Sequence, residues 1–132
     1  MKTALIVMCF VSLMLLVESL SAAEPMTLSF DPPVEREDGT ALDPATEIAE
    51  YVVYCRDRNG DSFPDTGYGI PGLTNEGEHE TTYTDLLGEP GRYECAMTAV
   101  DTDGRESDYS NVIGVTWLTP PGRPTNIIII RE

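Results

Sequence analysis

Apolar and polar residues alternate with a period of two in short bursts along the chain, and the bursts are separated by clusters of Gly, Pro, Asn and Asp. Residues two apart share one face of a strand, whereas a helix face recurs at three and four, and no segment keeps that longer period for three turns. The pattern therefore predicts an all-β chain. In MTLSF, Met26, Leu28 and Phe30 fall on one face and Thr27 and Ser29 on the other, and Pro32 and Pro33 end the strand because neither brings a backbone donor. EYVVYC aligns Tyr51, Val53 and Cys55, HETTYTDLL is rich in β-formers, and RYECAMTAVD aligns Tyr93, Cys95, Met97 and Ala99. Pro90-Gly91 suits the middle of a type II turn, and DTDG at residues 101–104 turns the chain into SNVIGVTW. Alternation leaves the faces of that last strand open, with either Val112 and Gly114 or Ile113 and Val115 inward. DPATEIAE, residues 43–50, reads as a loop. Residues 57–80 form the longest stretch without a clear strand, apart from a short edge strand over 68–73, and such segments often carry function.

One apolar run does not alternate. Residues 4–17 follow Lys2 and lead into Ser21-Ala22-Ala23, the layout of a secretory signal peptide cut after Ala23. The run is shorter than the ~20 residues a spanning helix needs, so no membrane insertion is expected once the leader is removed. Cys9 lies mid-run and not beside the cleavage site, which argues against a lipoprotein. Residues 24–132 then suffice for one modest domain, secreted or periplasmic.

Charge narrows the partners. The net charge is −15, and removal of Lys2 and Glu18 with the leader leaves it unchanged, so nucleic acid and anionic lipid are repelled. Solubility in an extracellular medium explains the acidity first, and cation binding second. Cys55 and Cys95 survive processing, and in an oxidising compartment the pair reads as one disulfide, with two buried free thiols as the other structural reading. A closed zinc site would need four N or S ligands, and His79 is the sole histidine.

Asp57, Asn59 and Asp61 in RDRNGDSFPD alternate like the opening of a calcium loop. Position six of that loop is Ser62 in place of Gly and position twelve is Tyr68 in place of Glu. A solvated turn is the better account, calcium being the weaker alternative, and no metal is assigned. Asp101, Asp103 and Glu106 receive the same reading. Phe63 and Tyr68 would present an aromatic patch to a sugar or protein, or pack down to order the loop, and packing is favoured. Asp57, Asn59, Asp61, Phe63 and Tyr68 are thus the candidate ligand loop. His79 has no nucleophile arranged beside it, and no phosphate loop or cofactor motif stands out, so neither an enzyme nor a cofactor is expected.

FDPP (residues 30–33), EIAEYVVY (47–54), LGEPGRY (87–93) and TAVDTDGRESDYSN (98–111) resemble, in this order, the motifs of a fibronectin type III module of the bacterial secreted type, with EREDGTALDPATEIAEY ahead of its third strand. The resemblance spans residues 26–116. It implies an immunoglobulin-like two-sheet sandwich, strands A, B and E facing C, C′, F and G, and very little chemistry. It also implies that Cys55, late in C, and Cys95, early in F, oppose each other across neighbouring strands. Phe30 stands where the family has Trp, and Glu50 where it has Gly. Only Glu24 and Pro25 precede the B strand after the predicted cleavage site, so the N-terminal A strand is expected to be missing.

The division expected is a leader at 1–23, the module at 24–118, and a Pro-rich linker with a strand-like tail at 119–132. The tail, TPPGRPTNIIIIRE, carries Ile127, Ile128, Ile129 and Ile130 behind a stiff linker like those that join tandem modules of this family. An uncovered run of this kind is a template for pairing. Three arrangements are open: the tail fills the vacant edge of its own sandwich, fills that of a neighbour, or stays unpaired. The resemblance puts the end of the last strand at the pole opposite the start of A, so docking within one chain would run opposite to A's usual direction. The expected function is a non-catalytic module for protein binding, adhesion or extracellular assembly. A self-assembling subunit and a carbohydrate-binding accessory to polysaccharide-degrading enzymes are the alternatives.

Overall fold

The computed structural model describes residues 24–72 and 77–131. The predicted signal peptide and the end of the expected edge strand, Leu73, lie outside the described residues. The alternating segments form β1 (Pro25–Ser29), β2 (Ile48–Asp57), β3 (Tyr68–Pro71), β4 (Glu78–Thr82), β5 (Gly91–Asp101) and β6 (Ile113–Trp117). They make two antiparallel sheets, β1-β4 and β3-β2-β5-β6, so the chain is all-β and sandwich-like.

The strongest alternations became the longest strands. β2 and β5 run side by side from Ile48 opposite Asp101 to Asp57 opposite Tyr93, with one register shift between Ile48 and Glu50. Their inward residues Tyr51, Val53 and Cys95 join Leu42, Ile48 and Ile70 in the buried core. Phe30, just past β1, sets its ring 4.6 Å from that of Tyr51, and with Leu28 it holds the small sheet against the large one. The register also decides the faces of β6. Val115 lies opposite Tyr93 and Ile113 opposite Cys95, and directly opposed residues share a face, so Ile113 and Val115 point inward.

Two segments depart from expectation. Residues 43–50 are not a loop: α1 (Pro44–Glu47) is one helical turn, and Ile48 already belongs to β2. Asp43 caps the turn by accepting from Ala45 N at 3.1 Å, and Glu47 reaches back to accept from Asp43 N at 2.7 Å. These reciprocal bonds satisfy two donors that a helix start leaves orphaned. HETTYTDLL is a strand only as far as Thr82, where α2 (Tyr83–Leu87) begins. The Thr82 hydroxyl accepts from Asp85 N at 3.1 Å, and Gly88, at φ 80°, ends the helix in a conformation that disfavours side chains. Leu86 and Leu87 thereby reach the core, which a continuing strand would have denied to one of them. No described helix is long and apolar enough to cross a membrane.

Candidate functional site

β1 is paired on one side only. Glu24 O accepts from Tyr83 N at 3.1 Å and Phe30 N donates to Gly77 O at 2.8 Å, so the even-numbered residues turn their backbone groups toward β4. Those groups alternate sides along a strand. The N–H and C=O of Thr27 and Ser29 therefore face the opposite edge, where no strand pairs with them among the described residues. Pro25 sits on that same edge, the position at which its missing N–H removes no ladder bond.

Beside this edge opens a groove of about 750 Å³. Met26 and Leu28 form one wall, and Met97, Ala99, Ile113 and Val115 the other. Ile113, though on the inward face, is 49% exposed, because nothing lies over it. Tyr51 lines the groove at 2% exposure, and its hydroxyl is buried with no hydrogen-bond partner among the described residues. Burial pushes the titration of that hydroxyl up. A buried polar group left unpaired is costly, and an incoming backbone or side-chain amide would relieve it.

A disulfide lies on the inward face of the large sheet, where Cys95 also lines the groove. Cys55 and Cys95 are bonded and directly opposed, with Cα atoms 4.2 Å apart. That is the spacing of a non-hydrogen-bonded cross-strand pair, in which side chains approach most closely.

The loop residues singled out in the sequence do not converge. Asp57 ends β2 in a turn closed by Gly60 N to Asp57 O at 2.7 Å, and Asn59 and Asp61 are exposed. The shallow depression there is lined by Arg58 and Arg92 as well as by Asp57 and Asn59. Among the described residues no group of three His, Cys, Asp or Glu could hold a metal. Phe63 lies on the outer face of the large sheet. Its ring is 4.9 Å from that of Tyr109, and the Arg56 guanidinium sits over it at 4.5 Å. Tyr68 faces inward, accepting a hydrogen bond from the Thr81 hydroxyl at 3.0 Å beside His79. The two aromatics are on opposite faces of the sheet and form no common patch.

The sequence reading missed a polar cluster at the β5 end. Asp101, 5% exposed, accepts from Arg36 Nη1 at 2.9 Å, Arg105 Nε at 2.8 Å and the backbone N–H groups of Asp103 and Arg105. Those donors, the Arg105 N–H foremost, hold its carboxyl at about 2. Nearby, Glu106 accepts from the hydroxyls of Thr98 and Tyr54, each at 2.7 Å, which lowers its own titration and pushes Tyr54 up to about 12. DTDG signals a turn, but nothing local signals Arg36, sixty-five residues away from Asp101.

Among the described residues the tail pairs with no strand. Ile127, Ile128, Ile129 and Ile130 are 91%, 77%, 91% and 80% exposed and belong to no strand. No family model, curated protein or solved structure matches the chain.

Proposed function

We propose that the chain is a secreted, non-catalytic module of the fibronectin type III kind that binds other proteins through an incomplete sandwich. The observation that carries this reading is the edge of β1, unpaired among the described residues, beside an apolar groove that Tyr51 helps to line. An exposed sheet edge with pockets for alternate side chains is how extended segments are captured by strand addition. The strand orders β1-β4 and β3-β2-β5-β6 support the family reading, since they correspond to B-E and C′-C-F-G, and the groove opens where A would lie. The disulfide supports export, because such bonds persist in oxidising compartments. The most displaced titrations, those of Asp101 and Tyr54, belong to groups already engaged in structural bonds outside the groove, which supports a binding role over a catalytic one. The carbohydrate alternative needed Phe63 and Tyr68 on one surface, and they lie on opposite faces.

The test is a photo-reactive amino acid placed at Thr27, and separately at Asn59, in the exported protein. Protein adducts from position 27 and not from 59 are expected. Equal adducts, or none, together with binding on a glycan array would replace this reading with the carbohydrate one.

A further inference from the structure

We infer that the vacant position beside β1 accepts the tail of a second copy of this chain, residues 125–130, as an added antiparallel strand. The inference rests on the binding reading above and names the partner.

The dimensions correspond. Residues 125–130, extended, span about 20 Å, and the five residues of β1 about 17 Å. Two of the four isoleucines would face the groove at alternate positions, toward Met97, Ala99, Ile113 and Val115, while the tail backbone meets the N–H and C=O groups of Thr27 and Ser29.

Direction selects a second copy over the chain's own tail. Tyr83 donates its N–H to Glu24 O and stacks its ring 5.7 Å from that of Trp117. The last strand thus ends at the pole where β1 begins. To fill its own edge, the tail would have to fold back at once through Pro120, Pro121 and Pro124 and lie parallel to β1. Running onward, it meets a neighbour's β1 from the opposite pole and pairs antiparallel, the orientation in which β1 already pairs with β4. In the structure the four isoleucines are exposed to solvent, Asn126 ahead of them has a φ of 54°, and the groove is left open.

Charge agrees. Residues 119–132 carry Arg123 and Arg131 against one acid, Glu132, in a chain of net charge −15. Antiparallel docking sets Arg123 at the end of the groove lined by Asp31 and Asp108, and Arg131 toward the end marked by Glu24. Tail and groove are different surfaces, so each copy gives one and receives one, and the contact generates open chains of subunits in place of a closed pair.

Light scattering after size-exclusion chromatography tests this on the full exported chain over about a thousand-fold range of concentration. Concentration-dependent growth is expected, with amides of Thr27 and Ser29 gaining hydrogen-exchange protection as chains lengthen. Ile128→Asp with Ile129→Asp alters the tail on both faces, and Ile113→Asp alters the groove. Each should raise the concentration for half-assembly by at least about 30-fold. Mixed together, the two variants should form a 1:1 pair and nothing longer, because one intact tail meets one intact groove. If Ile113→Asp does not fold, the exchange protection of the unaltered chain decides.

A monomer at every concentration overturns the inference, as does a monomer in which Thr27 and Ser29 are already protected. Assembly abolished by the tail variant but indifferent to the groove variant means tail-to-tail stacking and overturns it equally. Adducts from position 27 to a different protein, with the chain monomeric, leave the binding reading standing and end this one.

Discussion

The two sheets of this molecule are finished to different degrees. In the large sheet, β2 and β5 have ten and eleven residues, a disulfide between them, and a further strand on each outer side. In the small sheet, β1 and β4 have five residues each and a single ladder. A two-stranded ribbon is marginal by itself, so β1 depends on Phe30 and Leu28 packing across to the larger sheet. Local opening is easiest where buried contacts are fewest. Stability is thus concentrated in the sheet whose two long strands are paired on both sides, and β1 with its groove belongs to the weaker one.

The largest expected effect attacks the finished sheet. Replacing both bonded cysteines, Cys55→Ala with Cys95→Ala, frees a 40-residue loop in the unfolded chain and should cost about 4 kcal/mol on the chain-entropy account. Urea unfolding reads this directly. A loss under about 1 kcal/mol would mean that the β2–β5 ladder is self-sufficient and the contrast between sheets is not a matter of the bond. Phe30→Ala attacks the other side, removing the ring that meets Tyr51. About 2–3 kcal/mol should be lost, below the range for fully buried rings because Phe30 is half-buried. Exchange at β1 and β4 amides should rise more than at β2 and β5, and a uniform rise would show one cooperative unit with no weaker sheet.

The same contrast governs what could be read in advance. β2 and β5 were legible because a sheet with one buried face imposes a period of two on Tyr51, Val53 and Cys55 and on Tyr93, Cys95, Met97 and Ala99. The free edge of β1 was legible only through the expected leader, whose removal after Ala23 would leave Glu24 and Pro25 ahead of Met26. Its consequence, a groove reaching Tyr51, needed the packing of two sheets. α2 escaped because TTYTD has strand propensity, although Thr82 three residues ahead of Asp85 is a capping signal that could have ended the strand. The sides taken by Phe63 and Tyr68 had no signal at all, since an irregular loop has no period to transmit. Arg36 and Asp101 meet only because the chain turns back between them.

That ion cluster offers the next comparison, by acid. With its carboxyl held at about 2 against an ordinary 3.8, folded Asp101 binds fewer protons than unfolded Asp101. Its contribution is complete above about pH 4 and is lost as pH falls through about 2. Asp101→Asn should therefore flatten the fall in unfolding midpoint across that window. The loosening on acidification should appear where the cluster joins Arg36 and Glu47 to β5, and not at the β1 edge. A slope identical to that of the unaltered protein would show that other carboxyls dominate acid unfolding.

The smallest effects are the most discriminating, because two tyrosines of β2 place the same hydroxyl on opposite faces of one sheet. Tyr54 donates to Glu106 on the closed face, and Tyr51 has no partner on the open one. Tyr54→Phe should cost about 1.5 kcal/mol, the worth of a hydrogen bond to a charged acceptor. Since Tyr54 titrates at about 12 and not the ordinary 10, its contribution is present below about pH 10 and lost as pH rises through about 12, where absorbance would follow its ionisation. Tyr51→Phe should be neutral or stabilise the isolated chain, because it removes a buried group that nothing satisfies. Equal costs for Tyr51→Phe and Tyr54→Phe in the monomer would mean that the groove is already occupied and the small sheet already complete.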